Sequence, residues 1–288
     1  MSSVQDILMR LNRRGASRRT FMRSIGLSSV GFAGMAALAG CGGGGTAGLA
    51  SIAPVNAAAS SGTITDADIL NFALNLEYLE AEFYTMATTG KNLAQSGFAL
   101  NGTGASGDTT GGNEVMFIDA EHQNIAVNIA SDEQQHVLLL RQALGSAAVA
   151  KPAINLNALG LGFGSQQEFL TLGRAFEDTG VTAYAGAAPL ISSKQYLAVA
   201  ARILATEAEH SGNIRLQAVQ LEVDGGKIGA LDSLDIPPTD GVYFSVTYQG
   251  GLVETRTPQQ VLAIVYHGTG LKAGGFFPNG VNGNIASS

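Results

Sequence analysis

Cysteine is almost absent from this chain: Cys41 is the only one among 288 residues. No disulfide can form within the chain, and no Cys-x-x-Cys set exists to hold a metal or run a dithiol couple. Basic residues are also scarce, sixteen Lys and Arg against twenty-three Asp and Glu. Residues 1–40 hold six of those sixteen and one of the twenty-three, so ten basic side chains face twenty-two acidic ones in the remainder, a net charge of −12. Such a surface disfavours nucleic acid and anionic lipid head groups as partners. The one apolar stretch that invites a membrane reading, 25–39, is short and broken by Gly26, Ser28, Ser29, Gly31 and Gly34, which makes a spanning helix the weaker reading.

That stretch follows Ser17-Arg18-Arg19-Thr20-Phe21-Met22-Arg23, which reads as a twin-arginine export signal, so residues 1–40 are set aside from the fold. Leu38-Ala39-Gly40-Cys41 resembles a lipoprotein signal-peptidase site. The resemblance implies cleavage before Cys41 and acylation of its sulfur. Cleavage near Val55-Asn56-Ala57 is the alternative and would give a soluble periplasmic protein; of the two, the lipoprotein is favoured. Either way the expected place is the periplasm or the cell envelope, with membrane attachment only through a lipid anchor at Cys41. Residues 41–64, rich in Gly, Ala and Ser, read as a flexible tether.

From 65 to 222 the pattern predicts four helices in one all-α domain, with no shift in composition to divide it. Thr65 caps the first, which runs to about Thr88 with Ile69, Leu70, Ala73, Leu76, Leu79 and Phe83 as its apolar stripe. Glu77 falls inside that stripe; Glu82 is placed for solvent, and Glu80 is ambiguous. Residues 90–112, polar and Gly-rich, form a long loop. The second helix starts near Met116 or Glu121 and ends at Leu144. The third begins after Ser165, with Glu168 completing a capping box, and stops before Pro189. The fourth, capped by Ser192 or Ser193, reaches about Leu221. Residues 223–288 form an extension packed on the bundle: turns, a weakly alternating segment at 242–246 suggesting a short hairpin, and a short helix begun by Thr257-Pro258.

One pattern occurs twice. Glu77 is followed seven residues on by Tyr84, and Glu133 three residues on by His136; Glu177 with Tyr184 and Glu207 with His210 repeat it. Residues three apart share a helix face, with Cβ atoms about 5–6 Å apart, so each Glu-x-x-His can reach one metal. Residues seven apart also share a face but lie about 10.5 Å apart along the axis. The tyrosines are therefore placed to hydrogen-bond a neighbouring ligand rather than to bind the same ion. A Glu from each of two helices plus a Glu-x-x-His from each of two others is the ligand inventory of a carboxylate-bridged metal pair in a four-helix bundle. A single Glu-x-x-His is usually a solvated face; two copies inside apolar stripes are hard to explain that way, because a buried carboxylate needs a partner. His122 shares the face of Glu133 three turns earlier, too far to join it, and reads as a polar end or entrance residue. Gly173 and Gly180 flank Glu177 and leave room for close approach.

With these motifs, residues 65–221 resemble the ferritin-like superfamily, which holds rubrerythrins, bacterioferritins and manganese catalases. The run from Asp68 to Tyr84 and the tail motifs Thr257-Pro258 and Gly275-Phe276-Phe277-Pro278-Asn279-Gly280 resemble its secreted branch, which includes desiccation-related proteins. The resemblance implies two iron or two manganese ions, with Glu77 and Glu177 as terminal ligands, Glu133 and Glu207 as bridges, and His136 and His210 completing the set. Tyr84 and Tyr184 would orient ligands. The long first loop and the tail depart from compact ferritins and argue against a hollow shell; a smaller homo-oligomer remains open. Two readings of function follow. One is a redox enzyme acting on peroxide, oxygen or ferrous iron: a peroxidase, a manganese-catalase-like enzyme or a ferroxidase. The missing cysteine pairs exclude a rubrerythrin's own iron–sulfur donor and favour dismutation or oxidation. The other is a non-catalytic stress or desiccation-related protein whose metal site is structural or empty.

Overall fold

A computed structural model describes residues 64–223, 230–239, 241–245 and 250–288. Residues 1–63, with the segments read as an export signal and a tether and with Cys41, lie outside the described residues. Four long helices carry the fold: α1 Asp66–Thr89, α2 Ala120–Leu144, α3 Gln166–Ala187 and α4 Lys194–Gln220. A short helix, α5 Pro258–Val265, follows in the extension. No helix among the described residues is long and apolar enough to cross a membrane.

Each helix starts where its cap residue dictates. Thr65 and Asp68 form a reciprocal capping box on α1, and Gly90, at φ 67°, ends it in the left-handed conformation that glycine takes without steric cost. Asp119 caps α2, Ser165 caps α3 and Ser193 caps α4, each accepting from the third backbone amide of its helix. Glu168 accepts from the amides of Gly162 and Gly164. It thereby ties the incoming loop to the first turn of α3. Pro189 lies in a 3₁₀ turn, 188–190, that closes α3.

The pairs across the bundle show that α1 runs antiparallel to α2 and α3 to α4. Asn71, early in α1, bonds to Ala147 just beyond α2, and Thr85, late in α1, to Gln134 in the middle of α2; Arg215 reaches Asp178 and Glu207 reaches Gly180 in the second pair. An aromatic cluster of Phe83, Tyr84, Phe163, Phe169 and Phe176 fills one half of the core, with ring centroids 5.0–5.6 Å apart.

Two expectations need correction. Glu82 is fully buried rather than exposed. The connection after α1 folds back over that helix, so Leu93 N–H donates to the Glu82 carboxylate at 2.9 Å, and the connection after α2 brings Lys151 Nζ to 3.7 Å from it. The same segment pairs Thr109–Thr110 (β1) in parallel with Ile154–Asn155 (β2), a two-stranded clip that sequence patterning did not reveal. At the hairpin site, Val242 makes only a single antiparallel bridge with Thr239, and 246–249 lie outside the described residues. Phe244 is exposed there, so no buried face is available to stabilise a strand.

The extension is held to α3 and α4 by buried charge pairs. Arg174 donates to both oxygens of Asp235 at 2.8 and 2.9 Å. Arg215 donates to Asp178 at 2.6 Å and to the backbone carbonyls of Ile236 and Tyr243. Arg256 joins Asp232 to Thr182 on α3. Phe276 packs edge-on against Phe176.

Candidate metal centre

All six residues singled out as ligands converge in the middle of the bundle. One oxygen or nitrogen each from Glu77, Glu133, His136 and Glu207 lie within 4.8 Å of one another; Glu133, Glu177, Glu207 and His210 form a second such group. Glu133 and Glu207 are shared, so two adjoining four-residue nests meet at two carboxylates. The four glutamates have no exposure to solvent, and the two imidazoles very little.

The distances follow the repeat. His136 Nδ1 lies 3.1 Å from Glu77 Oε2, 3.2 Å from Glu133 Oε2 and 3.4 Å from Glu207 Oε1. His210 Nδ1 lies 3.0 Å from Glu133 Oε1 and 3.4 Å from Glu177 Oε2. The two rings stand 6.4 Å apart, centroid to centroid. Outside the nests, His210 Nε2 is 3.3 Å from Asp132 Oδ2. A carboxylate there fixes ring orientation and the tautomer that leaves Nδ1 free to bind.

The tyrosines are crossed between the two copies of the pattern. Tyr184 hydroxyl donates to Glu77 Oε1. Tyr84 hydroxyl faces Glu177, but no aligned hydrogen bond forms. Gly173 and Gly180 do leave room, as the sequence suggested. A Cβ at Gly173 would stand 3.1 Å from Tyr84 Oη, and one at Gly180 would stand 2.3 Å from Glu207 Oε2.

The donor set fits a metal pair and fits poorly without one. Both oxygens of Glu177, both of Glu207, Glu133 Oε1 and His210 Nδ1 are buried without an aligned hydrogen bond, although the imidazole contacts above bring some of them to ion-pair distance. An orphaned buried carboxylate oxygen is costly, and several aimed at one point make an environment for cations. The electrostatics agree. Burial pushes the Glu77 carboxyl up to about 7, against the pull of His136. Burial raises Glu177, and burial with neighbouring carboxylates raises Glu207 further. Burial also opposes charge on the imidazoles, yet Glu77 and Glu133 hold His136 far above its usual range, and Glu177 and Glu133 push His210 up to about 12. Burial alone would raise Glu133, but the two rings drag it well below the usual carboxylate range. Positive charge is what this site needs, and divalent ions supply more of it than two protonated rings.

Two further residues belong to the picture. Glu80, left ambiguous by its spacing, is buried beside the centre but in neither nest. Burial and the charges of Glu207, Glu133, Glu77 and Glu177 all raise its carboxyl well above the normal value. Its position one turn beyond Glu77 was the available signal. Asp132 had none, since its partner His210 lies 78 residues away on another helix. His122 is bound to the cap residue Asp119 at 2.7 Å, a helix-end contact as anticipated.

With this geometry in hand, comparison with known proteins is consistent. Residues 65–220, more than half of the chain, match the family described as the ferritin-like domain, and the chain belongs to that family. One relative is the ferritin-like catalase Nec2 of Nesocodon mauritianus, 24% identical over 274 aligned positions that cover 77% of this chain and 85% of the relative.

Proposed function

We propose that this chain is an exported two-metal oxidoreductase that dismutates hydrogen peroxide. The observation that carries the proposal is the pair of nests sharing Glu133 and Glu207, with carboxylate oxygens left unpaired around them. In this reading Glu77 and His136 would hold one ion and Glu177 and His210 the other, with Glu133 and Glu207, common to both nests, available to both. Mixed carboxylate and imidazole donors suit iron or manganese. When bound, such a pair supplies two-electron redox chemistry. In the balanced reaction one peroxide is oxidised to dioxygen and a second is reduced to two waters, the two electrons and two protons passing from the first to the second.

The chain's own residues do the rest. Tyr184 holds Glu77 in place, Asp132 holds His210, and the packed helices keep bulk water from the ligands. Dismutation needs no outside electron donor, which suits a chain without paired cysteines. The name of the relative from Nesocodon, a catalase, supports peroxide over ferrous iron as substrate. Export through the Arg18-Arg19 segment, and anchoring at Cys41, are part of the same proposal; a twin-arginine route carries folded proteins and would let the metals be loaded before export.

The test is elemental mass spectrometry of protein purified from its own compartment, with oxygen evolution from peroxide measured on the same sample. Near two iron or manganese per chain and steady oxygen release are expected, and both should vanish in a Glu133→Ala, Glu207→Ala double variant. Loaded protein that leaves peroxide intact would sink the catalase reading. Oxidation of added ferrous iron by that protein would reassign the same site to ferroxidase chemistry, and metal without any turnover would make it structural.

A further inference from the structure

At the end of the bundle where α1 and α4 begin, all four helices border a second feature, partly open to the surface. An apolar cavity of about 30 Å³ lies among Ala73 and Leu76 of α1, Leu140 of α2, Ala183 and Tyr184 of α3, and Ala200 of α4. Alanines stand at positions where larger side chains would close the space. Tyr184 links this cavity to the metal centre: it is one of the lining residues, and its hydroxyl donates to Glu77.

The chemistry of the wall selects the guest. About 10–15 Å³ suffices for one water, so this space admits a diatomic molecule, and its apolar wall offers water no hydrogen bond while suiting apolar guests such as xenon. Hydrogen peroxide would lose its hydrogen bonds on entering, a cost that an apolar wall does not offset. Dioxygen has no such bonds to lose. We propose that this cavity is a dioxygen-binding passage, through which the product of peroxide dismutation leaves the centre past Tyr184. The inference rests on the peroxide reading above.

The experiment combines xenon-pressurised crystals with kinetics on Ala73→Leu and Ala200→Leu, two fillings from different helices so that one misfolded variant does not decide the matter. In wild type a xenon peak is expected against Leu76, Leu140 and Tyr184. Both variants should lose that peak, keep the wild-type metal content, and keep the KM for peroxide while kcat for oxygen release falls several-fold. A wild-type crystal without xenon overturns the proposal. So does xenon in the cavity with unchanged kcat in both filled variants. If loaded wild type binds xenon but evolves no oxygen, the catalase reading fails and the passage role falls with it, a result distinct from either of these.

Discussion

Tyr184 on α3 donates its hydroxyl to Glu77 on α1, joining the second copy of the repeated pattern to the first across 107 residues. The mirror relation, Tyr84 facing Glu177, lacks an aligned hydrogen bond. Tyr184→Phe removes the hydroxyl that holds Glu77 Oε1, leaving His136 at Oε2, without altering packing. Such supporting bonds change metal affinity by about 10–100-fold. The variant is expected to fold normally and to lose its metals to a competing chelator at a correspondingly lower chelator concentration. Unchanged competition curves would show that Tyr184 does not orient Glu77.

Gly180 gives a prediction with opposite signs for stability and binding. An added methyl would sit 2.3 Å from Glu207 Oε2, the end of a flexible side chain, so the helix can accept it while the carboxylate cannot stay where it is. Alanine also favours a helix interior over glycine by about 0.8–1 kcal/mol. Gly180→Ala should therefore leave the melting temperature of metal-free protein equal or slightly higher, while metal content falls well below wild type. Full metal occupancy in this variant would mean that Glu207 has another position from which to bridge.

How far the sequence could be read depends on the range of the signals. Caps at Thr65, Ser165 and Thr257 are local, and the helix starts they announce are where the structure puts them. The Glu-x-x-His spacing is local too, and its repetition was enough to predict that six residues from four helices converge. The burial of Glu82 comes from Leu93 and Lys151, brought over it by the connections after α1 and after α2, neither of which has a periodicity to read. The β1–β2 clip pairs two-residue strands 45 positions apart, below any pattern threshold. Asp132 and the alanine-lined cavity are likewise products of tertiary packing.

The extension should contribute to stability through Asp235. Arg174 is buried and has both Asp235 oxygens as close partners, with Asp178 more distant at 3.6 Å. Removing one side of a buried pair costs about 3–5 kcal/mol, because the other charge is left uncompensated. Asp235→Ala is expected to lower unfolding stability by about that amount in urea titrations, and Arg174→Met combined with Asp235→Leu should recover much of it. A loss under about 1 kcal/mol for the single variant would show that Asp178 alone satisfies Arg174.

Without its metals the protein should lose stability as pH rises. In the ion-free centre, burial pushes Glu77 up to about 7 and raises Glu80, Glu177 and Glu207 as well. His136 and His210 are also raised, the latter to about 12, by the carboxylates that outweigh burial. Each group holds its proton more tightly in the folded chain than in the unfolded one, where the reference values are 4.5 for glutamate and 6.5 for histidine. Their stabilisation is complete below those reference values and is lost as pH rises through the folded ones. Glu133, lowered by the two rings, acts in the other sense, but only below 4.5. Chelator-treated protein should accordingly melt several degrees lower at about pH 8 than at about pH 5.5. Metal binding requires the deprotonated ligands and strengthens with pH, so the melting-temperature gap between loaded and chelated protein should widen over the same interval. A chelated protein that becomes more stable toward alkaline pH would contradict this account of the centre's charge.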